Sequence, residues 1–229
     1  MSDEIELKLL VAPGAIATLL ALPELSALAS SCFPLLNRYF DTPDRALSQA
    51  GIALRLRYQH GHWLQTLKSR GRACDGLHQR DEWEMSVAGE ALEWDRLPTE
   101  ALPENLSTDQ VFELFETNFE RSTWLIDRPH ATIELALDQG WVSAAGRQTP
   151  ISELELELKS GQVAALFELA ETIAEQIPLL PSNTSKAERG FALLNDELPT
   201  PSWPDTTLPG VRMIRQSRVN WQAQQLDKR

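Results

Sequence analysis

The chain has 229 residues, 42% of them hydrophobic and 24% charged, which suits one large domain or two small ones and excludes disordered and collagen-like classes. Its 33 acidic against 21 Lys and Arg side chains give a net charge of −12, which disfavours nucleic acid as a partner while leaving room for a local basic pocket within the screening length. Two cysteines without CxxC spacing exclude a disulfide scaffold. An acidic start is no secretory leader, and no stretch approaches the roughly 20 apolar residues of a membrane span, so the expected location is the cytoplasm with no membrane partner.

Strand-like alternation opens at Glu4-Ile5-Glu6-Leu7-Lys8-Leu9. Pro13 marks a helix start, and the Ala/Leu-rich run to about Ala29 predicts a helix offset near Pro23. A strand is expected over Leu35 to Asp41, then a turn at Thr42-Pro43-Asp44, and a hairpin of Ile52 to Tyr58 with His62 to Arg70 around His60-Gly61. Leu77 to Val87 adds a strand, and Ser107 is placed to cap a short helix reaching about Thr117. Strands follow over Phe119 to Asp127, Ala131 to Asp138 and Ile151 to Lys159, with Trp141 to Ser143 as a short one between. Val163 to Ile177 has helical spacing, and Ser185 to Phe191 starts another helix. Pro199, Pro201, Pro204 and Pro209 fall within eleven residues and read as a linker, followed by a basic tail from Val211 that is helical at most over a short length.

Sorted by parity, the strands carry one apolar and one ionised face. Glu4, Glu6 and Lys8 share a face, as do Arg55 and Arg57, Thr66 and Lys68, Arg80, Glu82 and Glu84, Glu134 and Asp138, and Glu153, Glu155, Glu157 and Lys159. An open sheet with one solvated face is the ordinary explanation for any single strand. For the whole set, like charges two residues apart call for counter-charges, and the signs segregate: the first and last strands are mostly carboxylate, the middle ones cationic. A sheet closed into a barrel around a wet, charged lumen accounts for both. Carboxylate pairs such as Glu4/Glu6 and Glu153/Glu155 are hard ligands for Mg²⁺ or Mn²⁺, and Arg and Lys rows suit phosphate oxygens. The ligand this implies is a metal-bound polyphosphate.

In these residues the chain resembles the CYTH superfamily of triphosphate tunnel metalloenzymes. The resemblance is carried by Glu4-Ile5-Glu6-Leu7-Lys8 as an ExExK signature. In order, it continues through Tyr39-Phe40-Asp41, Leu54-Arg55-Leu56-Arg57, Thr66-Leu67-Lys68, Arg80-Asp81-Glu82, Arg121, Glu134 to Asp138, Glu153 to Glu157 and Ser185 to Gly190. The chain is most similar to bacterial inorganic triphosphatases, in which a helical CHAD domain commonly follows; here only some 30 residues follow Pro199.

The resemblance implies an α+β fold: a closed eight-stranded antiparallel β-barrel with helices packed outside, spanning 1–198, ahead of the linker and tail over 199–229. It implies hydrolysis of inorganic triphosphate with Mg²⁺ or Mn²⁺. Lys8, Arg55, Arg57, Lys68, Arg80, Arg121, Lys186 and Arg189 would line the phosphate path, and Glu4, Glu6, Asp138, Glu153 and Glu155 would hold metal. Glu4 or Glu6 with Glu155 would position water, beside Lys8. Adenylate cyclase or thiamine and nucleoside triphosphatase activity on the same fold, and a polyphosphate-binding module without turnover, stand as alternatives.

Overall fold

A computed structural model of the protein describes residues 2–69, 71–197, 201, 203 and 206–226. Among them ten strands form a single antiparallel sheet: β1 (Ser2–Val11), β2 (Ser30–Asp41), β3 (Ala53–Gln59), β4 (His62–Lys68), β5 (Arg72–Cys74), β6 (Leu77–Val87), β7 (Phe112–Arg128), β8 (Ala131–Ala144), β9 (Arg147–Gly161) and β10 (Leu179–Pro181). Eight of these run in the order β1-β9-β8-β7-β2-β3-β4-β6, and β6 then pairs with β1, so the sheet closes on itself. The expected eight-stranded barrel is present, and closure leaves no long unpaired edge. β5 and β10 are short additions beside β6 and β1.

The two-residue period of the pleat sorts the side chains as the sequence parity requires. Leu7, Leu9, Ile133, Leu135, Leu137, Leu154 and Leu156 point outward into a core shared with helix α4 (Ala164–Ala174), which buries Leu166, Phe167, Leu169, Ala170 and Ile173 there. A second outer cluster gathers Leu54, Leu67, Trp83 and Met85 beneath the loop that carries Leu97. The inward face holds the ionised residues.

Several expectations needed correction. The N-terminal helix is two short helices, Ile16–Leu20 and Pro23–Ser26, and β2 begins at Ser30 instead of Leu35. Pro34 is tolerated inside β2 because β3 joins it only from Leu36 onward, so its missing N–H forfeits no bond on that side. The helix expected from Ser107 to Thr117 is absent. A 3₁₀ turn covers Thr108–Gln110, and Phe112 already belongs to β7, whose pairing with both β2 and β8 overrides local propensity. Trp141 to Ser143 is no separate strand but the continuation of β8 through Gly140, where a Cβ would lie 2.2 Å from the Asn118 carbonyl of β7.

Helix α5 (Lys186–Asn195) starts with a full capping box between Ser185 and Glu188. It closes one end of the barrel, packing Ala187 and Leu193 against the inward residues Leu35, Tyr39, Phe115 and Phe119. Gly190 makes the contact possible, since a Cβ there would meet the Phe115 ring at 2.1 Å.

The tail is ordered beyond expectation. Helix α6 (Leu208–Leu226) buries Val211 and Ile214 in the α4 core and sets Trp221 on Phe167 with ring centroids 5.9 Å apart. Two of its basic residues are spent on α4: Arg215 pairs with Glu171 and Glu175, and Arg218 with Glu168 and Glu171. Pro199 and Pro204 of the proline-rich stretch lie outside the described residues, as do Asp227, Lys228 and Arg229. Among the described residues no helix is long and apolar enough to cross a membrane.

Candidate active site

The barrel encloses a cavity of about 540 Å³ lined by Glu4, Glu6, Lys8, Arg55, Arg57, Lys68, Arg80, Arg121, Glu155 and Lys186, among others. Each comes from an inward position of a strand, except Lys186, which α5 inserts from the closed end. Arg189, also expected on the phosphate path, is not among the lining residues. Its guanidinium reaches the Pro150 carbonyl and lies 3.5 Å from Glu153. Asp138 and Glu153 are fully buried behind the cavity wall.

Nearly every charge in the lumen has an opposite partner. Lys68 donates to both oxygens of Glu4 at 2.8 Å, and Arg80 bridges Glu4 at 3.0 Å and Glu6 at 2.9 Å. Lys8 lies 3.3 Å from Glu155 and 3.7 Å from Glu6. Arg121 grips Asp138 with two hydrogen bonds of 2.7 and 2.6 Å and reaches Glu155 at 2.5 Å. The Lys186 ammonium is surrounded by Asp138 at 2.6 Å, Glu155 at 2.9 Å and Glu153.

Burial pushes the Glu4 and Glu155 carboxyls up, yet Lys68 and Arg80 on the former, and Lys186, Lys8 and Arg121 on the latter, hold both well below the usual range. A carboxylate depressed below its ordinary value of 4.5 contributes stability that is complete above that value and disappears as pH falls through the folded-state pKa. The midpoint of thermal unfolding is therefore expected to stay level from pH 8 to about 5 and to drop steeply below about 4. A flat profile down to pH 3 would show that these pairs carry no stability.

Arg57 is the exception. Its Nε donates to Asn37 at 2.8 Å, and among the described residues it makes no ion pair with a carboxylate. Burial, with Arg55 and Arg121 nearby, pulls its pKa down to about 10. An unneutralised guanidinium in a buried cationic neighbourhood is what an anionic ligand would relieve. Asn37 is itself fixed by a 2.9 Å bond to Thr117. Neither was singled out from the sequence; the signal was a polar residue at an inward position on β2 and on β7. Glu82 lies between Arg55 at 3.6 Å and Lys68 at 3.4 Å, so it orients cations. Asp41 accepts from the N–H groups of Thr42, Leu47 and Ser48 and anchors the loop after β2.

The carboxylates are hard oxygen donors suited to Mg²⁺ or Mn²⁺. One oxygen each of Asp138, Glu153 and Glu155 lie within 4.8 Å of one another, a spacing that fits a cation, and the Lys186 ammonium serves as that cation. Glu4, Glu6 and Glu155 are the members of the expected metal set that face the open cavity.

The CYTH domain model matches residues 2–191. The chain belongs to the CYTH domain family. It is 35% identical over 195 residues to an inorganic triphosphatase of Haemophilus influenzae, an alignment covering 84% of this CYTH chain and 55% of that protein. The chain thus spans about half the length of this curated relative. The fold is similar to that of a Hippeastrum protein described as a putative adenylyl cyclase with dominant triphosphatase activity (TM-score 0.65, 20% identity, 86% of this chain and 98% of that one). It is also similar to PH1819 from Pyrococcus horikoshii (TM-score 0.55, 18% identity, 85% and 99%).

Proposed function

We propose that this CYTH protein is an inorganic triphosphatase. The observation that carries the reading is Arg57, a guanidinium that makes no ion pair among the described residues, in a lumen whose other described cations already have carboxylate partners. The curated relative's name supports the same substrate. Triphosphate would bind along Arg57, Arg55, Lys8, Lys68 and Arg80, with Lys186 at the closed end. Glu4, Glu6 and Glu155 would hold Mg²⁺ or Mn²⁺, which when bound neutralises phosphate oxygens and polarises water. Asp138 and Glu153 would keep Lys186 and Arg121 in place, and Arg189 would steady Glu153.

In the reaction, water attacks the terminal phosphorus and the bond from that phosphorus to the bridging oxygen breaks. The electron pair leaves with pyrophosphate, and the water proton passes to an oxygen of the transferred phosphate, while Glu155 with Glu4 or Glu6 would orient the attacking water. The lumen's fixed charges need little reorganisation as charge shifts to the leaving group.

The test is phosphate release from tripolyphosphate, ATP and thiamine triphosphate with Mg²⁺ or Mn²⁺, with a parallel check for cyclic AMP. Release from tripolyphosphate is expected. Tight binding without release under either ion would instead mark a polyphosphate-binding module. Arg57→Ala should raise KM for triphosphate by about 10- to 100-fold, the worth of one charge-assisted hydrogen-bonding group, while kcat changes less.

A further inference from the structure

Along one edge, β1 pairs with β6 from Ser2 to Leu7 and with β10 from Leu9 to Val11, so at Lys8 that edge changes partner. The Lys8 N–H donates to the Gly76 carbonyl at 2.8 Å, and the Lys8 carbonyl accepts from the Ser182 N–H at 3.0 Å. His78 of β6 stands at this junction, 4% exposed. It has the inward parity of Arg80 and Glu82, yet it is not among the residues that line the main cavity. Its Nε2 instead lies 3.0 Å from the Ser182 carbonyl, and because a carbonyl only accepts, the ring donates. Ser182, itself buried, is thus held through both of its backbone groups, and Asn183 accepts from the Gly76 N–H at 2.7 Å.

From this anchor the chain runs directly into α5. The Thr184 N–H donates to Ser182 Oγ at 3.3 Å, Ser185 caps the helix, and Lys186 is its first residue. Lys186 follows Ser182 by four positions, so a shift of the anchor is passed on to the side chain that enters the lumen.

We infer that His78 is a positioning residue: by holding the Ser182 carbonyl it fixes the start of α5, and with it the Lys186 ammonium at the closed end of the lumen. The inference rests on the proposed triphosphatase reading only for Lys186 as a phosphate ligand; the placement of α5 does not depend on it.

Tripolyphosphate hydrolysis by His78 variants of the full chain tests this. His78→Leu keeps bulk and removes the donor, and should raise KM about 5- to 10-fold with kcat within about threefold of wild type. His78→Gln, which restores a neutral donor, should bring KM back to within about threefold. In a Lys186→Met/Glu153→Gln background, His78→Leu should change KM by less than about twofold, because its effect passes through Lys186. Unchanged KM in His78→Leu, no rescue by glutamine, or a full effect in the background without Lys186 would each overturn the inference. The Arg189 amide, which donates to the Ser185 carbonyl at 3.0 Å, should also exchange hydrogen at least about tenfold faster in His78→Leu than in wild type. Equal exchange would overturn the inference whether or not the wild type hydrolyses tripolyphosphate, and absence of hydrolysis by the wild type would count against the triphosphatase reading alone. If His78→Leu does not fold, nitrogen NMR of the wild-type imidazole decides, and a ring proton on Nδ1 alone would overturn the inference.

Discussion

Lys186→Met should lower the free energy of unfolding by about 3 to 5 kcal/mol, the usual cost of stripping the partner from a buried ion pair. Asp138 and Glu153 are both fully buried, and the ammonium is the shared counter-charge of these two and of Glu155. With it gone, Arg121 still serves Asp138, but among the described residues Glu153 keeps only Arg189 as an ion-pair partner, at 3.5 Å. Burial works against the charged form of Lys186, and the three carboxylates outweigh it and raise its pKa, so at neutral pH the site holds a full positive charge. Urea denaturation measures the loss. Combining Lys186→Met with Glu153→Gln should recover most of it, because the orphaned charge goes too. A single variant as stable as wild type would mean that the three carboxylates do not depend on the ammonium.

Glu155→Gln should reduce kcat by about 10² to 10³, the cost of removing one preorganised charged group, and should leave the barrel folded. Glu155 is the carboxylate on which Lys8, Arg121 and Lys186 converge while it still faces the lumen. Glutamine keeps its shape and loses its charge, and Asp138 and Glu153 remain to hold Lys186 and Arg121. Single-turnover rates on tripolyphosphate, paired with a urea curve, separate chemistry from folding. Wild-type rates in this variant would remove Glu155 from the mechanism.

The barrel and most of its lumen were legible because the pleat has a period of two. Glu4, Glu6 and Lys8, or Arg55 and Arg57, can face the same space only if they share a parity, and long-range pairing cannot change that. Pairing partners are another matter. Phe112 to Thr117 has no strong local preference, and only its neighbours on β2 and β8 make it a strand. The side chains of α5 were legible as charged but not by direction. Within one turn, Lys186 enters the lumen while Arg189 reaches the Pro150 carbonyl and the far side of Glu153, a difference of helical phase that the sequence does not announce. The docking of α6 depended on the acidic side of α4, which no local pattern near Val211 announces.

The seam of the barrel lies at the strand made first. β1 bonds to β6 on one edge and β9 on the other, and Ser152 Oγ donates to the Val11 carbonyl from 141 residues away. β6 becomes available to β1 early, whereas the other edge of β1 waits for β9, which ends only at Gly161, and closing so long a loop is entropically slow. The same ten residues bring Glu4, Glu6 and Lys8, so this part of the lumen's lining is in place only once both edges of β1 are paired.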